Sequence, residues 1–561
     1  MELKSETLRA NLHPLAEFVW GSRATEVCAG INTLIDHWGM ANDDQSHWLT
    51  QKDAMLICYG DSIFEPGQEP LKTLRRFYTH YASQAFSAVH ILPCFPFSSD
   101  DGFSVEDYHQ INPELGDWDD IEALAARSDI MLDAVVNHIS RWSYWFRRYE
   151  SGDEQYRDYF IEADPALDYS HVTRPRTHPL LTEFETAMGK RWLWTTFSED
   201  QIDLNFANPQ VFLAILDVLI TYGRKGARFV RLDAIGFLWK EIGTSCIHLP
   251  QTHACIQICR LVLEKLCPNL LLITETNVPH KENISYFGNS NNEAHLVYQF
   301  PLPPLVLHAF ISEKANALSA WASGLEAPKG KTTFFNFLAS HDGIGLRPTE
   351  GLLSAPEKQR LVEATLRHGG KVSWKDNGDG TKSPYELNIS YRDALSHPDE
   401  SHEHKIKRML AAHAILFSFQ GIPAVYIHSY IGSGNDYRGV EDSNIYRRIN
   451  RAQTNWKQLQ DRLSNDDTLG SKIWRGISAL LIVRRRHNVF SVDVPQIILD
   501  TPPAIFGLQR ITPTQTFICL VNVSTRKVNL DRAYTGKDLL RGTEVEVEQL
   551  EPLEFRWLLR N

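Results

Sequence analysis

The stretch Phe229-Val230-Arg231-Leu232-Asp233 is a run of strand-forming residues that ends in a carboxylate. Two further segments end in the same way, Ile273–Glu275 and Ser340–Asp342. A (β/α)8 barrel presents side chains from the ends of different strands at one face. Glycosyl transfer with retention needs one carboxylate that attacks the sugar carbon and a second carboxyl group that protonates the leaving oxygen. The three segments therefore predict a glycosidase-type active site on a barrel.

Short apolar segments rich in strand-forming residues recur along the chain, and helical patterns such as 210–222 and 252–266 separate most of them. This alternation is the pattern of a parallel barrel. The predicted fold class is therefore α/β, a (β/α)8 TIM barrel over residues 53–487. The eight predicted strands are Ala54–Tyr59, Ala88–Leu92, Ile130–Val136, Arg228–Leu232, Leu270–Thr274, Leu296–Phe300, Thr332–Leu338 and Ala424–Ile427.

Two gaps between the predicted strands are too long for single crossovers. Residues 139–204 predict an inserted lid domain, and residues 343–405 predict an acceptor-loop insertion. Long loops inside compact domains often carry function. Residues 1–52 are polar and helical in pattern, which predicts an N-terminal helical extension. Alternating stretches within 488–561 predict a small C-terminal antiparallel β domain.

The composition is that of a globular enzyme acting on small molecules. The 561 residues carry a formal net charge of −12, with 43% hydrophobic and 22% charged residues. Nucleic acids are bound by clustered Lys and Arg, so the acidic balance argues against such a partner. No apolar run approaches the roughly 20 residues of a membrane span, and no signal peptide is visible. We predict a cytoplasmic monomer or homodimer that binds neither nucleic acid nor membrane.

Four motifs occur in an order that resembles the α-amylase family of glycoside hydrolases, glycoside hydrolase family 13. They are Asp133–His138, Arg231–Asp233, Glu275 and His341–Asp342. Gln201–Asn205 resembles a further signature of that family in the lid domain.

Within the family, the chain is most similar to the sucrose phosphorylase subgroup. That resemblance rests on Leu92–Phe103, Arg174–Thr177 and Arg447–Arg451. Three longer stretches look most similar to the glucosylglycerate phosphorylases of the subgroup: Thr195–Asn205, Gly243–Leu249 and Thr274–Asn283.

The resemblance implies a role for each strand-end carboxylate. Asp233 would be the nucleophile, and Arg231, two residues earlier on the same face of the strand, would keep it ionised and oriented. Glu275 would be the general acid and then the general base, which requires a raised pKa in the first step. Asp342 would bind the sugar hydroxyls as positive charge develops in the transition state.

The same resemblance implies a closed site for one glucosyl unit. His138 and His341 would form hydrogen bonds at the hydroxyl rim of the sugar. Asp100 and Arg447 would clamp its far end, and Phe103 would offer a ring face.

The resemblance also implies the reaction. We expect phosphorolysis of a small α-glucoside, glucosylglycerate or sucrose, with retention, through a β-glucosyl-Asp233 intermediate that phosphate attacks to give α-D-glucose 1-phosphate. Phosphate is a co-substrate, and no cofactor is expected. Arg176 is the candidate phosphate contact, because a guanidinium fork matches a phosphate edge.

The acceptor loop departs from the pattern of the sucrose enzymes. Tyr385 and Glu386 correspond to a Tyr-Gln pair near the acceptor site, and Lys382-Ser383 stand where those enzymes have Leu-Asp. Gaining Lys382 favours an anionic acceptor such as glycerate, and Glu386 partly offsets that change.

Other interpretations stay open at this stage. A hydrolase or transglucosylase of the same fold would use water or a sugar in place of phosphate, and an amylase-like barrel can be a non-catalytic binding protein. Arg174, Arg176 and Lys382 could be solvated loop charges. Asn137 and Asp203 suggest a calcium site, since the wider family often holds that ion near the lid. Phosphorylases of the subgroup generally do without it, so we predict no metal.

Overall fold

The chain folds around one closed barrel of eight parallel strands. A computed structural model describes residues 2–41, 47–175, 178–376 and 381–561. The strands follow one another around the barrel in sequence order, and β8 closes onto β1. They are β1 (Met55–Cys58), β2 (Ala88–Ile91), β3 (Asp129–Ala134), β4 (Ala227–Leu232), β5 (Leu271–Thr274), β6 (Leu296–Tyr298), β7 (Thr333–Phe337) and β8 (Ile422–Tyr426). Each lies within or beside a segment predicted from the sequence, and the TIM-barrel prediction is confirmed.

Helices cover the outside of the barrel, and for this reason its strands are buried on both faces. Every residue of β1, β2, β5 and β8 is buried. Proline occupies the first turn of several outer helices, where its missing N–H is not needed. The main outer helices are Pro70–Phe77, Trp118–Ala125, Pro209–Arg224, Pro250–Leu266, Leu302–Ser312, His402–Ser418 and Leu469–Arg486.

Shorter elements connect the barrel units. The further helices are Tyr144–Glu150, His280–Asn283, Asn316–Ser323, Ala355–Arg367, Tyr391–Leu395, Ile427–Tyr430, Tyr437–Ser443 and Trp456–Ser464. The strand Ile63–Phe64 pairs with Thr454–Asn455.

Both predicted insertions contain small sheets. In the range 139–204, an antiparallel hairpin joins Leu181–Thr186 to Gly189–Trp194, and Gln201–Asp203 pairs with His138–Ser140. In the range 343–405, a three-stranded sheet combines Ile344–Gly345, Lys371–Asp376 and Lys382–Asn388. The second sheet begins directly after the β7 loop, so it stands beside the mouth of the barrel.

Two helices, Glu2–Trp20 and Ala24–Trp38, lie in the predicted N-terminal extension and pack on the outside of the barrel. The indole N–H of Trp20 donates to the Phe206 carbonyl at 2.9 Å. The indole N–H of Trp38 donates to Asp217 Oδ1 at 2.7 Å. Both bonds join the extension to the barrel unit between β3 and β4.

A six-stranded antiparallel sheet forms the C-terminal part of the chain, as predicted. Its strands are Gln496–Ile498, Ile505–Ile511, Thr516–Asn522, Val528–Asp538, Glu544–Leu550 and Phe555–Arg560. Phe517 and Trp557 pack against Phe490, which follows the last outer helix of the barrel. Across the described parts of the chain, every helix is too short or too polar to cross a lipid bilayer.

Candidate active site

One cleft at the carboxyl ends of the barrel strands gathers most of the predicted site residues. Its volume is about 820 Å³, counted to the open mouth. Such a location is where TIM barrels carry their active sites. The predicted residues that line it are Asp100, Phe103, His138, Arg231, Asp233, Glu275, His341, Asp342, Tyr385 and Arg447.

Asp233 follows β4 directly, and its carboxylate is oriented by Arg231. The guanidinium Nη1 of Arg231 lies 2.7 Å from Asp233 Oδ1 and also contacts Asp133 at the end of β3. The next residue, Ala234, has a left-handed backbone with φ of 49°. Burial raises the pKa of Asp233, and the Arg231 ion pair opposes that rise. The pairing within one strand face is the arrangement predicted from the sequence.

Glu275 follows β5 and faces Asp233 across the cleft. Its Oε2 accepts the Ala234 N–H at 3.1 Å and lies 3.7 Å from Arg231 Nη2. Burial, together with the nearby carboxylates of Asp233 and Asp342, raises the pKa of Glu275 to about 7, against the opposing charge of Arg231. A carboxyl group with that pKa still holds its proton near neutral pH, as a general acid must.

Asp342 follows β7, and two arginines and a histidine surround it. Arg447 Nη1 lies 2.7 Å from its Oδ1, and Arg451 Nη2 lies 3.7 Å from the same oxygen. His341 Nε2 lies 3.5 Å from Oδ2. Although burial opposes them, these neighbours, Arg447 foremost, hold the pKa of Asp342 well below its ordinary value. Asp342 is therefore an ionised carboxylate near neutral pH.

A network of polar and aromatic side chains forms the rim. His138 Nε2 and Gln201 Nε2 each lie 2.9 Å from the Phe103 carbonyl oxygen. Gln201 also reaches Asp100 Oδ2 at 3.4 Å. The Phe103 ring stacks on His341, with centroids 4.8 Å apart and an interplanar angle of 10°. Part of the Phe103 ring surface that was expected to face a sugar therefore packs on His341.

The loop that carries Asp100 is strained and is anchored from behind. Asp100 and Asp101 both have left-handed backbones, with φ of 52° and 49°, a conformation that is costly for residues other than glycine. Arg451 holds the loop through an ion pair with Asp101, and its Nε donates to the His341 carbonyl at 2.8 Å. Arg451 thus connects the loop of Asp100 to the motif of Asp342.

The hairpin of the second insertion contributes to the wall of the cleft. Glu386 accepts two hydrogen bonds from Arg447, at 2.9 and 3.0 Å, and one from the Gly343 N–H at 3.2 Å. The buried Glu386 charge is therefore engaged by Arg447. Lys382, at the start of the strand Lys382–Asn388, is exposed and is absent from the cleft lining. The structure thus brings Tyr385 to the cleft but leaves Lys382 outside it.

Arg176, the predicted phosphate contact, lies outside the described residues. Pro175, immediately before it, lines the cleft.

The oxygens considered for calcium are bridged by a lysine. Lys240 Nζ lies 2.6 Å from Asp203 Oδ2 and donates to Asn137 Oδ1 at 2.7 Å. Burial lowers the pKa of Lys240, and Asp203 opposes that effect. One ammonium group thus satisfies both oxygens.

The family follows from comparison with known proteins. A model of the α-amylase catalytic domain matches residues 82–343. A glucosylglycerate phosphorylase from Allomeiothermus silvanus is 46% identical over 554 residues, which cover 98% of this chain and 99% of that protein. The chain belongs to the α-amylase family.

Two further relatives show which branch of the α-amylase family the chain falls in. The glucosylglycerate phosphorylase of Escherichia coli is 46% identical over 520 residues, 92% of this chain and 93% of that protein. The crystal structure of sucrose 6F-phosphate phosphorylase from Thermoanaerobacter thermosaccharolyticum matches with a TM-score of 0.76 and 26% identity, over 90% of this chain and 99% of that one. The chain falls in the phosphorylase branch of the family, and the family and enzyme class predicted from the motifs are confirmed.

Sequence reasoning missed a buried contact that supports the cleft of this α-amylase family member. At the base of the barrel end, buried His90 Nε2 lies 2.7 Å from Asp133 Oδ2. Burial lowers the pKa of His90, so a neutral ring donates to the carboxylate. Against the effect of burial, Arg231 and His90 hold the pKa of Asp133 at about 2. Asp133 begins the motif Asp133–His138, and this position could have indicated that its carboxylate supports the site.

Three missed residues, His248, Asn277 and Arg347, line the cleft beside Tyr385. Arg347 stands in the loop that begins with Asp342, and this proximity to a strand-end motif could have revealed it. His248 and Asn277 stand in the stretches Gly243–Leu249 and Thr274–Asn283, and the resemblance of those stretches to the glucosylglycerate phosphorylases was a signal that could have revealed them.

Proposed function

We propose that the protein is a retaining α-glucoside phosphorylase that converts a small α-glucoside and inorganic phosphate to α-D-glucose 1-phosphate. The observation that carries the proposal is the contrast between two facing carboxyl groups: Glu275 has a pKa of about 7, while Asp233 is paired with Arg231. A carboxyl group that holds its proton near pH 7 and an ion-paired carboxylate that can attack are what retaining glycosyl transfer requires.

The first step forms a covalent intermediate. An Asp233 oxygen attacks the anomeric carbon of the glucosyl unit, and the bond from that carbon to the acceptor oxygen breaks. Glu275 gives its proton to the departing oxygen, so that oxygen leaves as a hydroxyl group and not as an alkoxide. Asp342, kept ionised by Arg447, stabilises the positive charge that develops on the ring.

The second step returns the sugar to phosphate. Once Asp233 is esterified, its negative charge no longer acts on Glu275, and Glu275 is itself ionised. It accepts a proton from the incoming phosphate, whose oxygen attacks the anomeric carbon and releases Asp233. Two inversions give net retention, so the product is the α-anomer.

The far end of the cleft favours a single glucosyl unit. Arg447 holds Asp342 on one side and Glu386 on the other, and this chain of ion pairs forms a wall of the cleft. A wall at this position suits a disaccharide-sized substrate, because a longer glucan would need an open passage there.

For the acceptor, we propose glycerate, released from glucosylglycerate, with sucrose as a poorer substrate. The two relatives at 46% identity are both glucosylglycerate phosphorylases, whereas a sucrose phosphorylase from Agrobacterium vitis is 30% identical. Lys382 lends this choice little support, since its side chain is exposed and absent from the cleft lining.

Two substitutions test the mechanism. We expect Glu275→Gln to lower kcat for glucosylglycerate by roughly 10²- to 10⁴-fold, because the leaving oxygen loses its proton donor. With α-glucosyl fluoride, whose leaving group needs no proton, the same variant should still form the intermediate. Asp233→Asn should lose both reactions, because it lacks the nucleophile. Near-normal turnover by either variant on glucosylglycerate would contradict the mechanism.

Product analysis distinguishes the competing functions. Incubation of the wild-type protein with glucosylglycerate and phosphate should yield glucose 1-phosphate. Free glucose alone would identify a hydrolase, and a glucosylated sugar acceptor would identify a transglucosylase. Absence of any product would indicate a binding protein.

A further inference from the structure

Arg347 places a guanidinium group in the wall of the cleft, on the side of the acceptor hairpin, the strand pair Lys371–Asp376 and Lys382–Asn388. It is half-buried and lines the cavity together with Tyr385, Asn277 and His248. Its backbone is rigid, because the neighbouring Leu346 N–H donates to the Tyr385 carbonyl at 3.0 Å and Leu346 is buried. A fixed backbone limits the volume that the side chain can search.

The other arginines of the cleft lining are engaged by carboxylates. Arg231 pairs with Asp133 and Asp233, and Arg447 pairs with Asp342 and Glu386. Arg347 forms no ion pair and no side-chain hydrogen bond with any residue in the described ranges. A partly desolvated guanidinium of this kind matches the edge of a carboxylate or phosphate.

The residues around Arg347 do not compete with it for an anion. Burial, His253 and Arg347 itself lower the pKa of His248 to about 4, so its ring is neutral near pH 7. His248 Nδ1 is already engaged with the Tyr286 hydroxyl at 2.6 Å. Among the described residues on this side of the cleft, the positive charge is therefore centred on Arg347.

Asn277 adds a second feature to the same wall. Its Oδ1 is buried and has no hydrogen-bond partner among the described residues. A buried acceptor without a partner costs free energy that a ligand hydroxyl can recover. Arg347 and Asn277 together therefore match a small molecule that carries both a carboxylate and a hydroxyl group.

We propose that Arg347 binds the carboxylate of a hydroxy-acid acceptor, while Asn277 Oδ1 accepts a hydrogen bond from its hydroxyl group. The proposal deepens the function proposed above, because it assigns a residue to recognition of the acceptor. Phosphate enters on the acceptor side after the acid has left, and a guanidinium binds either anion. The carboxylate is the ligand assigned to Arg347, and the experiment distinguishes carboxylate binding from phosphate binding.

The experiment measures transfer from α-glucosyl fluoride to glycerate and to glycerol, which lacks the carboxylate. The wild-type protein should have a higher kcat/KM for glycerate. Arg347→Leu should lower kcat/KM for glycerate by roughly ten- to a hundredfold more than it lowers the value for glycerol. Arg347→Lys keeps the charge but loses the guanidinium fork. Its kcat/KM for glycerate should lie between those of the wild-type protein and Arg347→Leu.

Arg438→Leu is the matched control, because it also removes an arginine, but one that is 90% exposed and outside the cleft lining. It should leave both acceptors unaffected. Retained transfer to glycerol shows that each variant is folded.

The outcomes separate this inference from the proposed function. Equal loss for glycerate and glycerol, or no wild-type preference for glycerate, would overturn the role of Arg347. If Arg347→Leu lowers kcat/KM for phosphate alone, the role of Arg347 is also overturned. If it lowers kcat/KM for both phosphate and glycerate but not for glycerol, the result supports a common anion contact. Failure of the wild-type protein to form glucose 1-phosphate would refute phosphorolysis and leave the glycerate result standing.

Discussion

At the scale of single residues, the cleft makes three similar carboxyl groups chemically different. Burial and two neighbouring carboxylates raise the pKa of Glu275 to about 7. Arg447 and its neighbours hold the pKa of Asp342 far below the ordinary value, and Arg231 orients Asp233. The roles follow from these surroundings, since the three groups would titrate almost together in an unfolded chain.

The raised pKa of Glu275 predicts the alkaline side of the pH profile. Glu275 donates a proton in the first step, so kcat/KM for glucosylglycerate should fall as pH rises through about 7. Glu275→Gln should abolish this limb, and α-glucosyl fluoride, which needs no acid, should lack it in the wild-type protein. A limb near the ordinary pKa of a glutamic acid would contradict the assignment.

At the scale of elements, the acceptor hairpin depends on its close approach to the β7 loop. A Cβ atom on Gly343 would lie 2.6 Å from the Leu387 carbonyl oxygen and 2.6 Å from Glu386 Cγ. Gly343→Ala must therefore displace the strand Lys382–Asn388 and weaken the contact between Glu386 and Arg447. We expect kcat/KM to fall by about tenfold or more, from a strain of about 1–3 kcal/mol.

Gly324→Ala provides the control for this prediction. Gly324 follows the helix Asn316–Ser323, has a negative φ, and an added Cβ would meet no atom closer than 3.5 Å. Steady-state kinetics of both variants on glucosylglycerate make the comparison. Unchanged kinetics in Gly343→Ala would mean that the hairpin moves without consequence for the cleft.

At the scale of the whole molecule, one buried arginine joins distant parts of the barrel. Arg484, at the end of the last outer helix, donates to the carbonyls of Gln51 and Asp53 at 2.6 and 3.1 Å, and to Gly421 at 2.9 Å. These carbonyls lie just before β1 and β8, where the barrel closes. Arg484→Met should lower the free energy of unfolding by about 3 kcal/mol or more, because several buried carbonyls lose their donor.

Thermal denaturation followed by circular dichroism checks this prediction. Arg486→Met is the matched control, since Arg486 is in the same helix but is exposed. A melting temperature for Arg484→Met equal to that of the control would show that the closure does not depend on these bonds.

Much of the architecture could be predicted from local patterns in the sequence. Buried parallel strands must be continuous apolar runs, so all eight left a signal in the chain. Asp233 and Glu275 stand directly after such runs and Asp342 stands a few residues after one, and the strand geometry of a barrel brings them to one face. Arg231 was equally readable, because side chains two residues apart point to the same side of a strand.

The residues on the acceptor side of the cleft were harder to predict from the sequence, because they come from loops. Lys382 was predicted near the acceptor from its place in the chain, yet it is exposed at the outer end of the hairpin. Glu386 was expected to offset the Lys382 charge, whereas its carboxylate pairs with Arg447. Arg347 and Asn277 were not predicted at all.

Sequence alone was enough for the barrel, its order of strands and the three catalytic candidates, because periodic burial and strand-end position are local properties of the chain. Only the tertiary structure decided which charges meet across loops: Arg447 with Glu386, Arg451 with Asp101, and Arg347 left facing the cleft. Loop conformations depend on contacts between residues far apart in the chain, and no local periodicity encodes those contacts.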